Sequence, residues 1–102
     1  MKRNRLYDEV AALVALSTIY ELTKTGVARD LLLNQWTTLR HIAGQFGQLG
    51  SEMIATCDRA IAAMSKETPE LKRIRQAVKR MLALQRAIEA MSERLNKRKK
   101  AA

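Results

Sequence analysis

The sequence is poor in the residues on which disulfide-bonded, metal-binding and many catalytic proteins depend. It has one cysteine, Cys57, and one histidine, His41, among 102 residues. A single cysteine excludes an internal disulfide, and one histidine with one cysteine cannot supply the ligand set of a structural zinc site. We therefore predict no metal ion and no cofactor. The cysteine count also favours a reducing, cytoplasmic location.

Glycine, proline and aromatic residues are equally scarce. The chain contains four glycines and one proline, and its aromatic residues are one Trp, two Tyr and one Phe. Strand-and-turn proteins use many more turn-forming residues, so this composition predicts an all-α protein. Hydrophobic residues make up 47% of the chain, and the core must therefore consist mostly of aliphatic side chains and methionine.

No uncharged run is long enough to cross a bilayer. The run from Val10 to Tyr20 has eleven residues, against about 20 for a membrane-spanning helix. Basic residues precede it, as in a signal peptide, but Asp8 and Glu9 interrupt that pattern and no small-residue cleavage site follows. We do not expect a membrane partner.

The only proline divides the chain. Thr68 is a suitable N-cap, Pro69 suits the first position of a helix, and Glu70 places negative charge in its first turn. Few residues separate the segments on either side. The pattern therefore predicts a long antiparallel helical hairpin with helices at about 30–66 and 69–97.

A further helix is predicted before this hairpin, at about 6–24. Its apolar residues recur at helical spacing: Leu6, Val10, Leu13, Val14 and Tyr20. Gly26 suits the left-handed conformation just after a helix, and Asp30 suits the N-cap of the next one. The predicted architecture is thus a hairpin with an additional N-terminal helix, in coiled-coil-like or helix-bundle packing.

Three glycines leave two interpretations of the second helix open. Gly44, Gly47 and Gly50 each cost a helix about 1 kcal/mol relative to alanine, and Ser51 could cap a new helix after them. Apolar residues nevertheless recur every seven positions through this region: Leu32, Leu39, Phe46, Met53 and Ala60. That unbroken phase favours one continuous helix. A break would instead give a compact four-helix monomer.

The last helix carries the clearest coiled-coil pattern, and we predict that it forms an interaction seam. The seam residues are Ile74, Met81, Leu84, Ile88, Met91 and Leu95. The short N-terminal helix at about 6–24 cannot cover the apolar stripes of both long helices. The uncovered stripe predicts pairing with a second copy, as a two-fold homodimer.

The positive charge is concentrated in the last third of the chain. Residues 1–68 hold eight Lys/Arg and seven Asp/Glu, a net of +1, whereas residues 69–102 hold eleven and three, a net of +8. We expect a flexible basic N-terminus at 1–5, a single helical domain at 6–97 and a disordered basic tail at 98–102. The candidate contacts for phosphates or for an acidic protein partner are Lys72, Arg73, Arg75, Lys79, Arg80, Arg86, Lys97, Arg98, Lys99 and Lys100.

These patterns predict a non-enzymatic protein. On one continuous helix His41 and Cys57 would lie about 24 Å apart, so they could not form a catalytic dyad. The leading hypothesis is a small protein–protein interaction module (an adaptor, a chaperone-like protein or a regulator) that acts as a homo-oligomer. The alternative is a nucleic-acid accessory protein that contacts phosphates through the basic last helix and tail. Aromatic side chains for stacking on bases are nearly absent from that region.

Overall fold

The computed structural model describes the backbone of residues 5–101 and the side chains of residues 5–97. These residues form four helices: α1 (Arg5–Thr23), α2 (Gly26–Ala43), α3 (Gly47–Met64) and α4 (Leu71–Ala101). No strand occurs between residues 5 and 101. The prediction of an all-α protein with helix-bundle packing is confirmed.

The four helices close into an antiparallel ring. Each helix packs against its neighbours in sequence, and α1 also packs against α4. An ion pair between Arg75 and Glu21 joins the start of α4 to the end of α1. Short turns make successive helices run in opposite directions, as in an up-down-up-down bundle. The molecule measures 55 × 25 × 19 Å, and its long dimension follows α4.

The single long helix predicted at about 30–66 is wrong, because the glycines divide it. Helix α2 ends at Ala43, and α3 begins at Gly47 with a φ of 59°, a left-handed conformation that favours glycine. A side chain at Gly50 would overlap the carbonyl oxygen of Ala43. The glycines therefore serve a sharp turn and a close helix approach, which is the alternative that the sequence left open.

The turn between α1 and α2 also differs from the prediction. Lys24, and not Gly26, takes the left-handed conformation, with a φ of 51°. The Thr25 hydroxyl accepts a hydrogen bond from the backbone N–H of Ala28 at 3.2 Å and so caps α2. Gly26 is already helical and Asp30 lies inside α2, so the predicted N-cap at Asp30 is wrong.

The predicted break at Pro69 is confirmed, with a shift in where the last helix begins. The first residue of α4 is Leu71, and the backbone N–H of Ile74 donates to the carbonyl of Glu70 at 3.1 Å. Glu70 therefore lies immediately before the helix, where Thr68 had been predicted as the N-cap. The predicted antiparallel hairpin exists, but its first arm is the shorter helix α3.

Two arginines of α2 bind it to α3. Arg29 donates to the carbonyl of Met64 at 2.6 Å, at the end of α3, where backbone carbonyls lack helical partners. Arg40 donates to the Asp58 carboxylate at 2.7 Å, and this hydrogen bond raises the pKa of Arg40. Both contacts depend on the glycine turn, which folds α3 back along α2.

The core lies along the axis of the ring and is mostly aliphatic. Trp36 is its largest member and is fully buried. Its indole N–H has no hydrogen-bond partner among the described residues. The other fully or almost fully buried large side chains are Leu6, Val10, Leu13, Leu32, Leu39, Met53, Met64, Ile74 and Met81.

The helices at the two ends of the described chain have different bounds from the predicted ones. Helix α4 continues to Ala101, beyond the predicted end near Lys97, and its backbone is helical where a disordered tail at 98–102 had been predicted. Arg5 begins α1, and the rest of the predicted flexible N-terminus at 1–5 lies outside the described residues, as does Ala102.

Candidate functional site

The predicted interaction seam on α4 divides into a buried part and an exposed part. Ile74 and Met81 are completely buried, and Leu84 and Ile88 retain only 3% and 8% exposure. Ile74, Met81 and Leu84 pack within the core of the same chain and are covered there, and Ile88 lies at the border between the core and the surface. The glycine turn explains the difference, because it lets four helices close around the stripe.

The outer part of the seam lies on the surface. Met91 is 53% exposed and Leu95 is 57% exposed. Helix α4 has 31 residues and α3 has 18, so α4 extends about 20 Å beyond the start of α3. The extending part of α4 keeps its apolar face, which is more than half exposed at Met91 and Leu95.

An apolar groove of about 460 Å³ runs between this extension and the start of α3. We call it the apolar groove, and its lining residues are Phe46, Leu49, Ile88, Met91, Ser92 and Leu95. The only polar side chain in this lining is a serine. The groove can therefore bury a partner's apolar side chains without leaving a charge unpaired.

A second groove lies between α3 and α4, near the turn that joins them. It measures about 440 Å³. We call it the basic groove; it is lined by Thr56, Arg59, Ala62, Ala63, Lys66, Arg73, Gln76, Ala77 and Arg80. The three alanines leave space between the helices, and the four cations stand along the walls.

Carboxylates of the same chain neutralise part of this groove. Glu70 pairs with Lys66 and, at 2.7 Å, with Arg73. The hydrogen bond from Lys66, together with the charges of Lys66 and Arg73, holds the pKa of Glu70 below its usual value. Arg80 lies 3.4 Å from Glu52, so three of the four cations have a carboxylate neighbour.

Arg59 is the exception among the cations of the basic groove. Its Nε donates to the backbone carbonyl of Ala55 at 3.3 Å, and within the described residues it forms no ion pair. A guanidinium has five N–H donors, so Arg59 keeps several for an external acceptor. It is the strongest candidate in this groove for binding an anionic group.

The predicted basic residues of α4 lie on different faces. Arg73 and Arg80 line the basic groove, and Arg75 pairs with Glu21 of α1. Three others are exposed, lie seven residues apart and form no ion pair within the described part of the chain; we call them the basic stripe, Lys72, Lys79 and Arg86. Lys97 is exposed as well, and the side chains of Arg98, Lys99 and Lys100 lie outside the described residues.

The only cysteine and the only histidine are in different surroundings. Cys57 is fully buried, and this burial, reinforced by the charge of Asp58, raises the pKa of its thiol to about 12. His41 is exposed on α2. The predicted separation of about 24 Å no longer applies, since α3 folds back along α2. Between residues 5 and 97, no three His, Cys, Asp or Glu side chains are placed to hold a metal ion.

Comparison with protein-family models, with curated proteins and with solved structures finds no match to this chain. Within the part of the chain that the structure describes, no helix is both long enough and apolar enough to span a membrane.

Sequence reasoning missed several residues of the two grooves. Phe46 had been placed on a continuous helical stripe, and only the glycine turn brings Phe46 and Leu49 beside α4. Arg59 and Lys66 were not singled out, although they are seven residues apart and flank two small residues, Ala62 and Ala63. Two cations seven residues apart around small residues, followed by the same spacing of Arg73 and Arg80 in α4, are the signal that could have revealed the basic groove.

Proposed function

We propose that this protein is a non-enzymatic helical interaction module that associates with a second copy through the apolar groove. The observation that carries the proposal is the exposure of Met91 and Leu95, 53% and 57%, on the part of α4 that extends beyond α3. Burying exposed apolar side chains of this size stabilises an interface by about 25 cal/mol for each Å² removed from water.

A second copy fits this surface because each chain carries both halves of the contact. The extending part of α4 is one wall of the groove, and its Met91 and Leu95 can also enter the groove of the partner, beside Phe46 and Leu49. Such a surface is self-complementary, as a closed two-fold dimer requires.

The charges of the extension favour an antiparallel pair. Glu89 and Glu93 precede Arg94 and Lys97 along α4. Antiparallel pairing places the acidic part of one extension opposite the basic part of the other, whereas parallel pairing places like charges together. A cytoplasmic location belongs to the same proposal and is supported by the buried, unpaired thiol of Cys57.

The test compares the same substitution at two exposed leucines. Leu95→Glu places a charge in the apolar groove, whereas Leu22→Glu changes a residue that is 81% exposed on α1. By light scattering after size exclusion we expect the parent and Leu22→Glu at twice the chain mass of 11.5 kDa, and Leu95→Glu at the chain mass. A parent that stays at the chain mass at high protein concentration contradicts the proposal, as does a dimer that survives Leu95→Glu.

The basic stripe supports a second candidate function, contact with nucleic-acid phosphates. Lys72, Lys79 and Arg86 are exposed, share one face of α4 and span about 21 Å along it. Cations that are not neutralised within the chain can release counterions from a phosphate backbone, which makes such binding steeply dependent on salt. With so few aromatic residues, we expect little preference for sequence.

This second function is tested with two triple variants that each lose three positive charges, one in the basic stripe and one elsewhere. We expect Lys72, Lys79 and Arg86 replaced together by Gln to weaken duplex DNA binding at low salt and to lower its salt dependence. The matched control replaces Lys2, Arg3 and Arg5 by Gln, which removes the same charge elsewhere. Equal losses in both variants, or a parent that does not bind at low salt, would exclude the basic stripe as a nucleic-acid contact.

A further inference from the structure

We propose that the basic groove binds an acidic amphipathic helix of a partner protein. This inference extends the role of the protein as an interaction module, but it uses a different surface from the apolar groove. The ligand is defined by its chemistry: apolar or small residues that contact the alanine floor, flanked on both sides by Asp or Glu.

The floor of the groove admits another helix because its residues are small. Ala63 and Ala77 are buried between α3 and α4, and Ala62 is exposed above them. No long side chain fills the space over these alanines, so a third helix can pack its ridge into the groove. Interhelical distances are shortest where the side chains at the contact are small.

The α4 wall of the groove repeats with the spacing of a coiled coil. Arg73 and Arg80 are seven residues apart on α4, about 10 Å along its axis. The opposite wall carries Arg59 on α3 and Lys66 in the turn that follows α3. Acidic residues on both flanks of a partner helix recur at the same interval when they occupy its e and g positions.

Glu70 already shows how this wall holds a carboxylate. It lies between Lys66 and Arg73, and the charges of both keep it ionised. Because Glu70 occupies this convergent position, the turn end of the groove has no vacant cluster of donors for a small anion. The cations available to a ligand are spread along the groove, with Arg59 free of any carboxylate within the described residues. An extended ligand with repeated negative charges fits that distribution.

A second copy of this chain does not supply the required charges. No two of its ten acidic residues are seven positions apart in the sequence. A nucleic acid fits the shape less well, since duplex DNA receives a protruding helix in its major groove, whereas this site is concave. The groove also has no aromatic side chain on which a base of a single strand could stack.

The test uses a designed peptide of about three heptads, with Ala and Leu at positions a and d and Glu at positions e and g, labelled for fluorescence anisotropy. A scrambled peptide of the same composition serves as the ligand control. We expect the designed peptide to bind the full-length protein, with an affinity that falls as salt rises, and the scrambled peptide to bind at least about tenfold more weakly.

Two substitutions separate shape from charge. Arg59→Glu reverses the charge of the cation that has no carboxylate partner, and it should lower the affinity for the designed peptide about tenfold. Lys79→Glu makes the same change of charge outside the groove, and it should change that affinity by less than about twofold. Ala62→Leu fills the groove at an exposed position and leaves every charge in place, and it should remove binding of the designed peptide. Circular dichroism and cooperative unfolding verify that each variant is folded.

The outcomes also distinguish this inference from the proposed dimer. Arg59→Glu and Ala62→Leu should keep the mass of the parent, and Leu95→Glu should keep the affinity for the peptide. Equal binding of the scrambled peptide, or full binding by Ala62→Leu, overturns helix docking. If Leu95→Glu abolishes binding of the designed peptide, the peptide binds in the apolar groove, and its assignment to the basic groove is wrong. Displacement of the peptide by duplex DNA, with DNA binding lost in Arg59→Glu but not in Ala62→Leu, would identify the groove as a phosphate site and overturn the inference.

Discussion

The inner and outer parts of α4 carry the same apolar repeat but meet different surroundings. Ile74 and Met81, in the inner part, are completely buried, whereas Met91 and Leu95, in the outer part, are more than half exposed. The repeat itself does not change between them. Periodicity therefore identifies the face of a helix that is suited to burial, and the lengths of the neighbouring helices decide what covers it.

The difference arises from where α3 begins. Helix α3 starts at Gly47, immediately after the glycine turn, and its residue Gly50 approaches Ala43 of α2. The inner part of α4 is therefore covered by α3 and α1, and the outer part continues past the start of α3. A longer α3 would have buried Met91 and Leu95 within the chain. The apolar groove is thus a consequence of the glycine turn.

The largest expected effect separates the two parts of α4 directly. Met81→Ala should lower the free energy of unfolding by about 2–5 kcal/mol, since it opens a cavity in a packed core. Leu95→Ala should change it by about 0.5 kcal/mol or less when measured below the concentration at which the chain associates. Urea unfolding followed by the fluorescence of the single tryptophan, Trp36, measures both. Similar costs in the two variants would refute the division of the seam.

A somewhat smaller effect tests the turn that produces this division. Gly50→Ala should destabilise the fold by about 1–3 kcal/mol, because the new methyl group meets the carbonyl of Ala43 and α2 and α3 must move apart. Gly44→Ala is the matched control. Gly44 has a φ of −58° and ordinary space around it, so alanine there should be neutral or stabilising by up to about 1 kcal/mol. Thermal unfolding compares the two, and equal effects would contradict the close approach.

The reactivity of thiols compares the buried core with the exposed part of α4 without a substitution in the core. Cys57 is buried and the pKa of its thiol is about 12, so at pH 8 almost none of it is the reactive thiolate. In Leu95→Cys we expect a fast phase from the introduced thiol and a slow phase from Cys57, with rates that differ by at least about a hundredfold. Ellman's reagent measures both phases. Rapid labelling of Cys57 in the native parent would contradict its burial.

The smallest expected effect concerns the ion pairs at the inner end of α4. The pKa of Glu70 is lower in the folded state than in the unfolded chain, where it is about 4.3. The ionised Glu70 carboxylate therefore stabilises the folded state at pH values above the unfolded pKa, and this stabilisation is lost as the pH falls through the folded pKa. Glu70→Gln should be less stable than the parent at pH 7, and this difference should disappear as the pH falls through the lowered pKa of Glu70 in the folded state. Urea unfolding at several pH values measures it.

The control for this pH dependence lies in the same turn. Glu67 is exposed and forms no ion pair within the described residues, so Glu67→Gln should follow the parent across the whole pH range. A difference between Glu70→Gln and the parent that grows on acidification would have the opposite sign and would exclude stabilisation by Lys66 and Arg73.

The helical class, the break at Pro69 and the apolar face of α4 could all be read from the sequence alone. Each depends on local physical chemistry: helix propensity, the restricted backbone of proline and the spacing of apolar residues. The burial of Cys57 could also be anticipated from its place on the apolar stripe. The predicted intermolecular use of Ile74 and Met81 failed because a pattern of apolar residues is the same whether its partner belongs to the same chain or to another.

Whether Gly44, Gly47 and Gly50 interrupt a helix depends on the packing of the whole chain. Three glycines cost a helix about 3 kcal/mol in total, which is close to what the packing of a few apolar residues supplies, so local propensity could not settle the outcome. Packing favoured the turn, because it closes four helices around one core. That turn placed Phe46 beside Leu95, and the resulting bundle brought Arg59 to the same groove as Arg80. The sequence by itself determined which faces are apolar and where the charge lies, and the approach of Gly50 to Ala43 determined which of them remain on the surface.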